Sequence, residues 1–137
     1  MRVSDRMSVP VLSISPETTH HDALRLMQEQ SVHHLPVADL RGQLLGIVAE
    51  RDLLLAAAHY VQAAIEVSEI MQRDVVAVSP ETPLTEAAGL MVRYKIGGLP
   101  VLNAELQLVG MITETDLFSL LVSLVESSDL LSRVQGA

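Results

Sequence analysis

Late in the chain, the run Gly110-Met111-Ile112-Thr113-Glu114-Thr115-Asp116 sets a hydroxyl and a carboxylate three residues apart, where an apolar strand pattern gives way to a helix start. At such a junction free backbone N–H groups and the positive end of the helix dipole face any anion brought to it. A carboxylate there accepts the two hydroxyls of a vicinal diol and repels phosphate, so a ligand carrying both is held in one orientation. The same run occurs 64 residues earlier with Gly46, Glu50 and Asp52 in place, but with Ala49 where Thr113 stands. That position keeps its carboxylate and loses the hydroxyl. A plainer account is equally open, because Thr-x-x-Asp is also the spacing of a capping box, and Asp52 alone is a first-turn acid favoured by the dipole.

Two further pairs stand at matching places. His33-His34 precedes Leu35-Pro36-Val37, and Gly97-Gly98 precedes Leu99-Pro100-Val101, with Lys95 just upstream. Histidine becomes a cation below neutral pH and then favours phosphate, whereas glycines let backbone amides approach a ligand closely. The alternatives are a polar loop for the histidines, a helix stop for the glycines and a solvated side chain for Lys95. His20-His21 is a poor chelate, since adjacent helical residues point about 100° apart, and both are expected to lie exposed in a first helical turn with no metal. Glu50/Asp52 and Glu114/Asp116 do not require an acid–base scheme, because helix starts account for them. The serines lack a nucleophile elbow and there is no phosphate-cradling glycine loop. Catalysis is not expected.

These candidates are placed by a repeat. Residues 7–53 superpose on 71–117 without a gap, and 18 of the 47 positions are identical. The matches include Ser15-Pro16-Glu17-Thr18 with Ser79-Pro80-Glu81-Thr82, Met27 with Met91, and Met7 with Met71. An internal repeat of this length implies a pseudo-twofold molecule with two equivalent clefts where the copies meet. The expected division is residues 1–62, residues 63–126 and a tail, 127–137. A chain of 137 residues is one domain's worth, and half of it alone is marginal, so the repeats should form one module.

Each repeat reads as β-α-β-β-α. In the first, Val11–Ile14 is a short strand and a helix runs from His20 to Gln30, with Thr19 as its N-cap and Ala23, Leu24 and Met27 on one face. Leu35–Ala38 and Leu44–Val48 form a hairpin about Asp39–Gly42, and a helix runs from Glu50 to Ala58. In the second, Val75–Val78 is the strand, Thr82-Pro83 caps and opens a helix, Leu99–Leu102 and Leu108–Ile112 pair, and a helix spans Glu114 to Val125. A short helix is expected near Ser68–Met71, and Leu130-Leu131 in the tail either packs on a neighbour or frays. The closing helices are apolar around most of their circumference, which predicts a second partner, either another copy of the chain or, in a monomer, the other repeat alone.

Composition narrows the functional classes. The chain has a net charge of −8, which argues against general nucleic-acid or anionic-membrane binding. It has no cysteine, which excludes disulfides and thiolate chemistry and suits a cytoplasmic setting. No apolar run reaches a membrane span, and no leader pattern suggests secretion.

The element order, the Leu-Pro-Val strand and the 110–117 run, each present twice, resemble the CBS domain, named after cystathionine β-synthase. Two in tandem form the pair called a Bateman module, of α+β class with two small sheets flanked by helices. The resemblance covers about residues 5–125. It implies regulatory binding of AMP, ADP, ATP or S-adenosylmethionine in the inter-repeat clefts, with no required cofactor. It implies that Gly110, Thr113 and Asp116 hold the better ligand site, Asp meeting ribose and Thr meeting phosphate, with Gly46 and Asp52 in the other. His33, His34, Gly97 and Gly98 would meet phosphate, and Ile14 and Val78 would wall the purine pocket. It also implies a homodimer through helices and signalling to an attached or associated protein. A structural or protein-interaction module with no small-molecule ligand is the alternative.

Overall fold

The computed structural model describes residues 1–135, with side chains described to residue 129, so the expectation for Leu130-Leu131 lies outside what is described. Each repeat contributes an α-β-β-α unit. The first comprises α1 (His20–Gln30), β1 (His34–Ala38), β2 (Leu44–Ala49) and α2 (Glu50–His59); the second comprises α3 (Leu84–Tyr94), β3 (Gly98–Leu102), β4 (Leu108–Thr113) and α4 (Glu114–Gln135). Each hairpin is a two-stranded antiparallel sheet in the same register, Leu35 opposite Val48 in one and Leu99 opposite Ile112 in the other. Those residues are buried in two aliphatic cores, one around Met27, Val37 and Leu53 and the other around Ala87, Val101 and Ile112. The fold is the expected α+β pair of small sheets flanked by helices.

The repeat holds at the backbone even where residue types differ. Helices α1 and α3 both stop at a left-handed residue, Ser31 at φ 54° and Lys95 at φ 55°. The hairpin tips match too: Gly42 has φ 82° and its counterpart Leu106 has φ 62°. Each tip is braced by one side-chain oxygen, from Asp39 or Asn103, which accepts from the N–H groups two and four residues on. Turns stapled this way tolerate a left-handed residue other than glycine.

Four local expectations need correction. Val11–Ile14 and Val75–Val78 are not full strands: each makes a single parallel bridge, Ile14 with Val37 and Val78 with Val101. The proline after each (Pro16, Pro80) turns the chain away from the sheet. Thr82 does not cap α3, because its hydroxyl accepts from the Ser79 N–H and Pro83 takes the cap position. Thr19 does cap α1, accepting from Asp22 at 3.2 Å. His20 is fully buried rather than exposed, and its Nδ1 accepts from the Ile65 N–H at 3.1 Å. That hydrogen bond puts the ring proton on Nε2, which is buried and has no partner among the described residues. Finally, α4 continues past Val125 to Gln135. The short helix expected near Ser68 is a 3-10 turn, Val67–Glu69.

The sequence pattern did not announce how the cores close. The segment before each repeat crosses to the other one. Val3, in a 3-10 turn at the start of the chain, is buried in the second repeat's core, and its N–H donates to Thr82 while Ser8 pairs with Met111. Val67 and Met71 do the same for the first repeat, with Val67 donating to Thr18 and Gln72 pairing with Ile47. Gly46 and Gly110 make the crossings possible. A Cβ on Gly46 would sit 2.7 Å from the Gln72 carbonyl oxygen, and one on Gly110 would sit 2.9 Å from Met7 Sδ and 3.2 Å from the Ser8 oxygen. Neither glycine requires positive φ; what each supplies is room.

This contrast sets an order for two substitutions. Gly46→Ala forces the backbone of the crossing strand to move, and is expected to lower stability by about 1–3 kcal/mol. Gly110→Ala meets mainly a flexible methionine and should cost less. Urea unfolding of both variants, read as midpoint shifts at unchanged slope, checks the order.

Candidate functional site

The segments that close the cores go on to build the clefts. After pairing with the second repeat at Ser8, the chain runs through Val11 and Leu12 before bridging into the first repeat at Ile14. Val11 and Leu12 form the apolar wall of a cleft of about 400 Å³. Its other walls are His33 and His34 from the first repeat, and Thr113, Glu114 and Asp116 from the second. Residues 72–78 make the mirror-image strap from the first repeat to the second, and Val75 and Val76 wall a cleft of about 670 Å³. Asp52, Arg51, Tyr94 and Lys95 also line that cleft. Each cleft therefore joins the helix start of one repeat to the pre-strand loop of the other.

The two carboxylates are held alike. Asp116 Oδ2 accepts from the Thr113 N–H at 2.9 Å and from the Thr113 hydroxyl at 3.0 Å. Thr113 Oγ1 in turn lies 3.4 Å from the Asp116 N–H, which completes a capping box. Asp52 Oδ2 accepts from the Ala49 N–H at 3.2 Å, and Ala49 has no hydroxyl to return the bond. In both residues Oδ1 has no protein partner among the described residues, and it can accept from a ligand hydroxyl. Capping and ligand binding would thus engage different oxygens of one group.

His34 marks the pseudo-twofold centre. Its counterpart is Gly98, and its ring lies over the backbone of Gly97 and Gly98: a Cβ on Gly97 would come within 3.0 Å of His34 Cε1, and one on Gly98 within 3.4 Å of Cγ. One side chain fills a space that two would contest, and it lines both clefts. Burial lowers its pKa below the usual 6.5, an effect opposed by the carboxylates of Glu114 and Asp52 and reinforced by neighbouring His33. His33 itself is turned to its own repeat, with Nδ1 2.9 Å from Glu50 Oε2.

The remaining expected site residues separate. Gly97 lines both clefts and Gly98 the Asp52 cleft, and a Cβ on Gly97 would collide with the Glu114 carboxylate. Gly46 and Gly110 lie beneath the crossing segments and line neither cleft. Ile14 and Val78 are buried in the two cores, and the apolar walls come instead from Val11, Leu12, Val75 and Val76. Lys95 is exposed, as a solvated side chain would be, yet borders the Asp52 cleft. Sequence reasoning passed over Arg51 and Thr115, which the repeat aligns with each other inside the same motif. Comparing the two copies residue by residue would have raised them. Among the described residues there is no cluster of histidine and acidic side chains suited to a metal.

The CBS domain pattern fits the chain twice, over residues 3–59 and 67–123. A CBS domain-containing protein of Dictyostelium discoideum is 37% identical over 135 residues, covering 90% of this chain and 93% of that protein. A CBS domain pair solved in complex with 5′-methylthioadenosine and S-adenosyl-L-methionine matches with a TM-score of 0.83 at 28% identity, over 90% of this chain and 97% of that one. The structure of CBSX2 in complex with AMP matches at 0.80 and 29% identity, over 90% and 97%. Against larger relatives the match is partial: inosine-5′-monophosphate dehydrogenase of Korarchaeum cryptofilum is 39% identical over 108 residues, which is 79% of this chain but 22% of that enzyme.

Two measurements follow from the site itself. Asp116→Ala removes the reciprocal half of the capping box and should cost about 1 kcal/mol of stability, whereas Asp116→Asn keeps an acceptor for the Thr113 N–H and should cost less; urea unfolding separates them. Burial disfavours the charged form of His34 in the folded chain, so the unfolded chain binds more protons between the lowered pKa and 6.5. Stability should therefore fall as pH drops through that window, and His34→Gln should flatten the fall in pH-dependent melting curves.

Proposed function

The chain belongs to the CBS domain family, as two repeats in tandem, and on that premise we propose that it is a regulatory module that binds an adenosine-containing ligand in its inter-repeat clefts. The observation that carries this reading is the pair of carboxylates, Asp52 and Asp116, each fixed through Oδ2 and free at Oδ1 beside an apolar wall. A ribose offers two vicinal hydroxyls to such an oxygen, and a purine suits the apolar wall of Val11 and Leu12 or that of Val75 and Val76. AMP, ADP, ATP and S-adenosylmethionine share that nucleoside. The complexes of related pairs with AMP and with S-adenosyl-L-methionine support the class of ligand.

Signalling follows from construction. A ligand in either cleft touches both repeats and the strap between them, so it favours the relative orientation in which it makes both sets of contacts. Chemistry on the ligand is not needed for this, and the function is binding rather than catalysis. The receiver is a second copy of this chain, through α2 and α4. What supports a homodimer is a run of exposed apolar side chains on those helices, including Leu54, Leu55, Phe118, Leu121 and Val122, with Phe118 61% exposed. A face of this kind favours a partner over water. Among the described residues no helix is long and apolar enough to cross a membrane.

Thermal denaturation with AMP, ADP, ATP and S-adenosylmethionine tests the reading. A ligand at about 100 times its dissociation constant adds roughly 2.7 kcal/mol, a rise of several degrees. At least one is expected to raise the melting temperature of the wild type and none that of Asp52→Asn/Asp116→Asn. A flat series on folded protein would instead favour a ligand-free interaction module. For the dimer, light scattering is expected to give twice the chain mass for wild type and a single chain mass for Phe118→Glu.

A further inference from the structure

The two clefts share a plan but not a charge. At two positions related by the repeat, the Asp52 cleft has a cation where the Asp116 cleft has a neutral group: Arg51 against Thr115, and Lys95 against Ser31. The acids differ in the opposite sense. Glu114 lines the Asp116 cleft, whereas its counterpart Glu50 is drawn off by His33 at 2.9 Å and does not line the Asp52 cleft. Among the described residues, the Asp116 cleft is lined by the carboxylates of Glu114 and Asp116 and by His33 and His34, with no lysine or arginine; His33 is turned to Glu50 at 2.9 Å, and burial disfavours the charged form of His34. The Asp52 cleft balances Asp52 and Asp74 with Arg51 and Lys95, neither of which makes an ion pair among the described residues.

We propose that the clefts divide adenosine ligands by the charge of the 5′ substituent, the Asp52 cleft taking 5′-phosphorylated nucleosides and the Asp116 cleft taking those with an uncharged or cationic 5′ group, a thioether or sulfonium. The proposal rests on the adenosine reading above and refines it. Both clefts offer the same ribose acceptor, so the nucleoside does not discriminate. Discrimination falls to the group beyond it. In the Asp116 cleft a phosphate would face Glu114 and Asp116 with no fixed cation to offset them, whereas a sulfonium gains from both. In the Asp52 cleft the same phosphate meets a guanidinium and an ammonium, whose charge-assisted hydrogen bonds are the stronger kind. On this proposal phosphate does not go to the Thr113 side, where the hydroxyl is already donated to Asp116 at 3.0 Å.

Isothermal titration of the full chain with AMP and with 5′-methylthioadenosine, which differ in 5′ charge and share the nucleoside, decides it. Wild type should bind both together, with neither displacing the other. Asp116→Asn should weaken 5′-methylthioadenosine by about tenfold or more and leave AMP unchanged. Asp52→Asn and the double variant Arg51→Gln/Lys95→Gln should weaken AMP to a similar degree and leave 5′-methylthioadenosine unchanged. The double variant alters two exposed side chains, so it remains informative even if Asp52→Asn unfolds. Competition between the two ligands, or AMP binding indifferent to Arg51 and Lys95, overturns the division while leaving adenosine binding in place. Failure of wild type to bind either one overturns both.

Discussion

Neither repeat can close its own core. Each is a hairpin with two helices, about 60 residues, and a unit of that size buries too little surface to be secure alone. Each core is completed by the stretch of chain that precedes the other unit: Val3 enters the second core, and Val67 and Met71 enter the first. The exchange ties the halves together more firmly than a linker would, since unfolding one removes a buried segment from the other. It also decides where the clefts lie. A segment that ends in one repeat and begins the next must cross the space between them, and residues 8–14 and 72–78 are those crossings. The cleft walls are a consequence of how the cores are sealed.

A pseudo-twofold axis raises a packing problem, because whatever one copy places at the centre the other places there too. His34 and Gly98 resolve it by inequality, one ring lying over two glycines. Once symmetry is broken at the centre, the clefts on either side are free to diverge. Thr113 supplies a second hydrogen bond to its aspartate and Ala49 cannot. Lys95 and Ser31 occupy the same left-handed backbone position at a helix end and present different charge to the two sides. The backbone is duplicated with high fidelity while the side chains lining the two clefts have separated.

How much of this was legible follows from the kind of signal involved. Hairpins and helices were readable because aliphatic periodicity and turn residues act locally, and the repeat supplied two readings of each element. The cap at Thr19 was readable for the same reason, and the cap assigned to Thr82 failed because Ser79 competed for the hydroxyl across a tight turn. The segment exchange was not readable, since Val3 and Val67 look alike to either core and only three-dimensional closure selects the distant one. His20 misled because a histidine at a helix start usually faces water. It aligns with Leu84, a buried residue covered by the other incoming segment, and that alignment was the available clue. The room that Gly46 and Gly110 leave for the crossing segments was equally hidden, because it depends on the same exchange.

A capping role and a binding role for Asp116 are compatible, and the first would assist the second. An aspartate used only for ligand binding would sample several rotamers when free and lose that freedom on binding. An aspartate whose Oδ2 already accepts two hydrogen bonds from Thr113 has lost it during folding, so Oδ1 meets a diol with little further entropy cost. Asp52 accepts one such bond at 3.2 Å and is held less firmly. A ligand in its cleft would draw more of its affinity from elsewhere, and the cations that border it are suited to that. The two sites thus balance orientation against charge: one is rigid and acidic, the other looser and equipped for an anion. Both follow from a single motif at a helix start, copied once and altered at a few positions.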